Sequence, residues 1–376
     1  MAINMALLAE RLRKYRENFD LTIRQLSTKS GITEERLHAF ESASIEPTGD
    51  ELLIIADVFR VNDYRVFLST KEHQTSFEQI ETLFRKFGDE LTSNDRWAIQ
   101  EVVYLAECET FLQEELGKLK RPFVYNKKNT KENHQAEEAA LMLRKHLGYS
   151  EVAKTKDVFQ DIRNIGIHIF RRRLENTSIS GVFIKHPSAG KCILVNYNED
   201  KFRQRFTAAH ELAHSILDLN DSDEIDITKT NIESRGNKFA AYYLLPASLL
   251  NRIKDKYEWN EEKLKAHAKS FEVNPETLTY ALAREKYITQ NEVYRFKKVR
   301  LPQSEKIDSE FSNVSNLGRE RKAFLLEKGI SEYYVRLCIN ARDNNLISSA
   351  RMAEMLLIDL TELQIIYEIF GEKYYD

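Results

Sequence analysis

Apolar positions in the first seventy residues fall at helical spacing, in short clusters divided by polar turns. Leu7, Leu8, Leu12 and Tyr15 mark one helical face. Residues Thr22 to Ser30 predict a second helix, stopped by Gly31, and Thr33 to Glu41 a third with Thr33 as its N-cap. Pro47 and the run Leu52 to Phe59 complete a bundle of short helices, with a glycine turn of helix-turn-helix type between the second and third. Further on, Phe77, Ile80, Leu83, Phe84, Ile99, Val102, Val103, Leu105 and Ala106 continue the helical period, with Gly88 and Ser93-Asn94 between two helices. These read as a helical connector.

The period then changes. A helix from Glu132 to Leu147 ends at Gly148, and another covers Asp157 to Asn164. Ile165 to Phe170 predicts a strand. Ser180 to Lys185 and Lys191 to Asn196 predict two more, joined through His186-Pro187-Ser188-Ala189-Gly190 as a hairpin. His168 and His186 read as a strand-face and a turn histidine. Helices return near Leu249 to Lys256, Glu261 to Phe271 and Val273 to Lys286. A basic stretch from Arg295 to Arg300, ended by Pro302, reads as a linker, and residues 319–376 are helical. The fold class is therefore α+β: a small sheet with helices packed beside it, an all-α N-terminal helix-turn-helix bundle and a helical C-terminal region. The expected boundaries are 1–70 for the bundle, 71–128 for a helical connector and basic linker, 129–300 for the sheet-containing unit and 301–376 for the C-terminal helices.

Within this pattern one helix carries chemistry. Phe206 to Leu217 is apolar except for His210-Glu211-x-x-His214, a small set of polar groups in an otherwise buried run. Residues four apart project from the same helical face, so both imidazoles can aim at one metal ion, and Zn²⁺ takes such nitrogens at about 2.0–2.1 Å. Glu211, offset around the helix, can serve as general base without ligating. The surrounding Ala208, Ala209, Leu212, Ala213, Ile216 and Leu217 make burial of these groups costly unless something satisfies them, which a metal does. The third ligand is not at the extended-motif positions, because Leu217 and Asn220 stand there. Glu233 is the best candidate, on one helical face with Asn237, which can hydrogen-bond a ligating histidine. A second reading stays open: Thr230-Asn231-Ile232-Glu233 fits a capping box. Glu224 is a weaker alternative ligand. Tyr197, Tyr242, Tyr243 and His267 are unranked candidates for stabilising an oxyanion.

Composition and charge narrow the classes. Three scattered cysteines, Cys108, Cys192 and Cys338, form neither a disulfide framework nor a metal-binding spacing, as expected of a cytoplasmic protein. Mean hydropathy is −0.51 and no apolar run approaches the roughly 20 residues that span a bilayer, so no membrane partner is expected. The formal net charge is −3, and residues 1–70 hold nine Lys/Arg against eleven Asp/Glu, which handicaps phosphate attraction. Glu34 and Glu35 open the would-be recognition helix; Arg24, Lys29 and Arg36 remain as candidate DNA contacts, the alternative being an interaction or dimerisation bundle. Lys118 to Lys131 is basic with Phe123 and Tyr125 interleaved, a pattern of single-strand binders and, more commonly, of exposed linkers.

Two resemblances add to this. Residues 5–68 resemble the Cro/C1-type (XRE) helix-turn-helix domain. The stretch Arg205-Phe206-Thr207-Ala208-Ala209-His210-Glu211-Leu212-Ala213-His214, followed by Glu233-x-x-x-Asn237-x-Phe239-Ala240-Ala241-x-x-Leu244-Leu245-Pro246, resembles the ImmA/IrrE family of zinc metallopeptidases. Ala213 replaces the glycine common in that motif. The resemblance implies a zincin-like core, one Zn²⁺ per chain held by His210, His214 and Glu233, Glu211 as general base, and a protein substrate such as a helix-turn-helix repressor. It implies a switch for stress, phage-defence or mobile-element genes. The segment Ile347 to Leu357 is similar to a small helix-turn-helix-like tail of such fusions, suited to docking or homo-oligomer formation. The alternative is a DNA-binding transcriptional regulator whose zinc unit is a sensor or inactive.

Overall fold

The computed structural model of the chain describes residues 4–68, 91–126, 132–217, 229–306, 308 and 316–374. Helices α1 (Met5–Asn18), α2 (Ile23–Ser30), α3 (Glu34–Glu41) and α4 (Gly49–Val58) form the N-terminal bundle. Thr22 caps α2 in a capping box with Gln25, Gly31 ends it at φ +72°, and Thr33 caps α3, as the turn pattern predicts. Leu12, Leu26, Leu37, Phe40, Leu52 and Ile55 close its core.

The expected connector has a larger part. Helix α5 (Ser93–Glu115) is buried on several sides, with Ile99, Val102, Leu105, Ala106 and Leu112 fully enclosed. Apolar residues around the whole circumference are the mark of a helix inside a core rather than at its surface. The bundle is fixed to it by Trp97, which stacks on Phe19 at 4.2 Å between ring centroids, and by Arg96, which donates to the Asn18 carbonyl at 2.9 Å. The expected first helix of the connector, through Phe77 and Phe84, lies outside the described residues.

Helices α6 (Glu132–His146) and α7 (Val158–Asn164) lead to a three-stranded sheet: β1 (His168–Arg172), β2 (Gly181–His186) and β3 (Gly190–Asn196). Strand β3 is central, parallel to β1 and antiparallel to β2 in the order β1-β3-β2. The hairpin turns through Pro187 to Ala189, with Gly190 at φ +76° pairing back to His186. Strand β1 begins three residues later than its apolar pattern suggests, because Ile165 and Gly166 at φ +73° still close the preceding helix, and it runs on to Arg172 because Arg171 stays inside through a buried ion pair with Asp308 at 2.6 Å. Alternation along the strands divides two cores. Phe170, Val182, Ile184, Cys192 and Leu194 face α5, whereas Ile169, Ile193 and Val195 face α8 (Lys201–Leu217) and α9 (Lys229–Leu244). Beyond them come α10 (Ala247–Leu250), α11 (Glu261–Phe271), α12 (Pro275–Arg284) and α13 (Gln290–Phe296). The helix expected over Leu249 to Lys256 is only this one short turn. The stretch expected as a linker at Arg295 to Arg300 is instead packed down, with Phe296, Val299 and Leu301 in the second core.

Finally α14 (Asn316–Glu327), α15 (Glu332–Asp343), α16 (Ser349–Met355) and α17 (Leu363–Phe370) fold back on α5 and share the first core with the N-terminal bundle. Lys328 forms an isolated bridge with Arg172, at the last residue of β1 on its outer edge. The outer edge of β2 has no partner strand among the described residues. No helix among them is long and apolar enough to cross a membrane.

Candidate metal centre

Helix α8 presents two faces. Ala208, Ala209, Leu212 and Ala213 are fully buried, and their small size lets the helix lie close on the sheet. Phe206, His210 and His214, spaced by four, form the half-exposed stripe beside that contact. Helix α9 crosses this stripe. Its Phe239, Ala240, Tyr243 and Leu244 sink into the core, while Glu233 and Asn237 stay on the open side. Because α9 is already helical from Lys229, Thr230 lies within its first turn and is not its N-cap, so Glu233 is not the last residue of a capping box. Its carboxylate turns toward the histidines instead.

The donor atoms converge. The Nε2 atoms of His210 and His214 are 3.0 Å apart, and Glu233 places one carboxylate oxygen 3.2 Å from His210 Nε2 and the other 3.9 Å from His214 Nε2. Two imidazole nitrogens and a carboxylate oxygen are the donor set of a catalytic zinc site, and tetrahedral bonds of 2.0–2.1 Å put donors about 3.3 Å apart. The residues therefore fit such an ion. His210 is prepared for ligation: its Nδ1 is 3.0 Å from Asn237 Oδ1, which leaves Nε2 facing the cluster. Burial, reinforced by the neighbouring His214, holds its pKa below the ordinary histidine value and so favours the neutral ring that binds metal. The histidine side chains are 13% and 15% exposed and that of Glu233 is 63% exposed, so the cluster opens to solvent past Glu233. Glu224 lies outside the described residues.

Two glycines shape the site and carry no sign in the motif. A Cβ at Gly236 would sit 2.8 Å from His210 Cε1 and 3.1 Å from each of its ring nitrogens, so the α9 backbone backs the imidazole directly. A Cβ at Gly181, the first residue of β2, would sit 2.6 Å from Thr207 Cγ2 and 3.0 Å from Glu211 Cγ. Glu211 is buried, pressed between α8 and the start of the open-edged strand. Thr207 in turn donates to Glu199 Oε2 at 3.0 Å, and Lys191 on β3 donates to the Ser215 carbonyl at 2.6 Å, tying helix to hairpin. A glycine one residue before Asn237 and one at the head of a strand are the only sequence traces of this arrangement.

Other expected groups fall elsewhere. Tyr243 is buried with its hydroxyl on Asp161 at 2.7 Å, Tyr242 lies beneath the Arg284 guanidinium, and His267 packs between Trp259 and Phe271. His168 joins β1 to α5 through Glu109 at 2.8 Å and Thr110 at 2.9 Å. Tyr125 is buried and donates to Glu138 at 2.8 Å, so the described part of the basic stretch is anchored by its aromatic residue. In the bundle, Arg24 is exposed, Lys29 lies over Trp97, and Arg36 is held by Glu51, with Nη2 at 2.8 Å from Oε2.

Comparison with known proteins agrees with this geometry. Residues 162–283, which include β1 to β3 and the whole cluster, match the peptidase family described as the IrrE N-terminal-like domain, and residues 12–63 match a helix-turn-helix family. The radiation response metalloprotease IrrE of Deinococcus deserti is 34% identical over 99 residues, covering 24% of this chain and 35% of that protein. The chain thus spans about a third of the length of the curated relative it matches. Two matched domains, in the order bundle then peptidase-like core, and a His-His-Glu cluster inside the second lead to one assignment: the chain carries an IrrE N-terminal-like peptidase domain over residues 162–283, preceded by a helix-turn-helix domain over residues 12–63.

Proposed function

We propose that the chain is a zinc-dependent endopeptidase that cleaves a regulatory protein, a helix-turn-helix repressor being the substrate implied by the family. Residues His210, His214 and Glu233 hold the ion, and Asn237 fixes the His210 ring. Bound there, zinc would supply Lewis acidity toward a peptide carbonyl and toward a water near neutral pH. Glu211 takes the proton of the attacking water and delivers it to the leaving nitrogen. The substrate lies extended along the open edge of β2, main chain to main chain, with its scissile bond beside the cluster. The observation that carries the reading is the placement of Glu211, buried against Gly181 beside the two histidines. A metal sensor has no use for a carboxylate that does not ligate.

A second reading, a DNA-binding regulator with a sensing metal unit, draws on the helix-turn-helix match. There the bundle contacts DNA through the exposed Arg24 and Lys29, with Arg36 available only on leaving Glu51. Substituting Glu211→Gln separates the two. Under the peptidase reading the variant keeps zinc and loses cleavage of the co-expressed regulator by about 10²–10⁴-fold. Unchanged cleavage or derepression by the zinc-loaded variant would refute it.

A further inference from the structure

A cavity of about 630 Å³ lies where all the units of the fold meet, at the far end of β2 from the metal cluster. Tyr15 and Val66 of the N-terminal bundle, Gln100 and Glu107 of α5, Ser188 of the hairpin turn and Arg351 of the C-terminal helices line it. We propose that this cavity binds a small amphipathic amine, and that the occupant acts on the peptidase site through β2.

The ligand class follows from the polar groups. Gln100 is 2% exposed; its Nε2 donates to the Arg60 carbonyl at 3.0 Å, but its Oε1 has no hydrogen-bond partner among the described residues. A buried carbonyl oxygen left unsatisfied is costly, and a small turn of the Gln100 amide toward the cavity would let a ligand donor satisfy it. Among the described residues the donors to Glu107 are neutral, Ser188 Oγ at 2.7 Å and Asn62 Nδ2 at 2.8 Å. His186 stands 3.7 Å from it, but burial holds that imidazole's pKa below its ordinary value, so it supplies little compensating charge. Arg351, the cation on the wall, is bonded to Glu354 at 2.9 Å and to Asn62 at 3.2 Å. The cavity therefore offers an acceptor and an uncompensated carboxylate, against walls made by Tyr15, Val66, Val103 and Phe111. Ammonium or N–H donors on an apolar body complement it; an anion does not.

The route to the metal centre is short. Six register pairs with β3 hold β2 straight from His186 to Gly181. Its His186 end bears the turn that lines the cavity, and its Gly181 end has no room for even a methyl group against Thr207 and Glu211. Tight packing transmits a shift at one end to the other.

The test uses the full chain, tryptamine as probe and indole-3-acetate as a control with the same ring and the opposite charge. Calorimetric titration of the zinc-free protein should show saturable binding of tryptamine and none of the acetate. Gln100→Met should weaken it about tenfold, the effect of one hydrogen bond lost from a buried acceptor. Because Gln100→Met also gives up the Arg60 contact, Ser188→Trp, at an exposed turn, serves as the second variant and should block the cavity mouth. No tryptamine binding, equal binding of the acetate, or indifference to both substitutions overturns the site. The action on the peptidase centre rests on the proposed zinc reading and is measured separately, as a change in zinc affinity when tryptamine saturates the cavity. Binding with unchanged zinc affinity removes the coupling, whereas failure of the chain to bind zinc at all refutes the metal reading and leaves the cavity test standing.

Discussion

Substituting Gly236→Ala should improve a helix and damage the site it carries. The residue lies inside α9, where glycine is about 1 kcal/mol less favourable than alanine. Yet the added carbon would stand 2.8 Å from His210 Cε1, when ordinary carbon contacts are about 3.5–4.0 Å. The imidazole must retreat by roughly 0.7 Å or more to regain that spacing. Metal–ligand distances tolerate only about ±0.2 Å, and Asn237 at Nδ1 restrains the ring from turning aside. Disturbing ligand orientation by such neighbours costs about 10–100-fold in metal affinity, or roughly 1.4–2.7 kcal/mol. Competition titration against a chelating indicator should therefore give a weaker zinc Kd. Thermal melting of the zinc-free variant should stay at or above the parent, because an unligated His210 can yield. A Kd within about threefold of the parent would refute the close-approach argument.

The other predictions concern different parts of the molecule. Gly181→Ala should keep zinc affinity but slow cleavage by about 10²-fold, since its Cβ would displace Glu211 and Thr207 while leaving the ligands in place; equal loss of zinc would contradict it. Glu51, pinned first by the Arg36 guanidinium, has its pKa lowered from 4.5 to about 2. Its folded value is depressed, so its stabilisation is full above pH 4.5 and drains away as pH falls toward 2. Acid titration followed by Trp97 fluorescence, with Trp259 changed to Phe, should fall more steeply for the parent than for Glu51→Gln across that window. Asp308→Ala would remove the carboxylate opposite Arg171, both side chains being 3% exposed, leaving Gln204 at 3.3 Å as a neutral partner, and should lower unfolding free energy by about 3–5 kcal/mol in denaturant titration.

The helix-turn-helix bundle and the His210 helix could be read directly, because caps, glycine stops and an i, i+4 histidine pair are local signals. Glu233 could not be separated from a capping residue by spacing; the start of α9 at Lys229, four residues earlier, decides that. Gly181 and Gly236 escaped because what matters is the missing side chain, opposite residues 26 to 30 positions away in sequence. Helix α5 passed for a connector although Val102-Val103-Tyr104-Leu105-Ala106 leaves no polar side, which is the pattern of an enclosed helix. Arg171 and Asp308 hid the end of β1, since a charge in a strand reads as exposed until its distant partner is known.

The return of α14 to α17 onto α5 also orders events on the ribosome. The N-terminal bundle and these last helices share one apolar core, while the metal-binding unit is built from the chain between them. At about 5–20 residues per second, ten seconds or more of synthesis separate Phe67 from Leu325. During that interval Trp97, Leu105 and Cys108 on α5 wait without their full cover, and the second core can close first. The unit that carries the His-His-Glu cluster would thus close inside a still-incomplete protein, and the mutual grip of its two flanking regions would follow it.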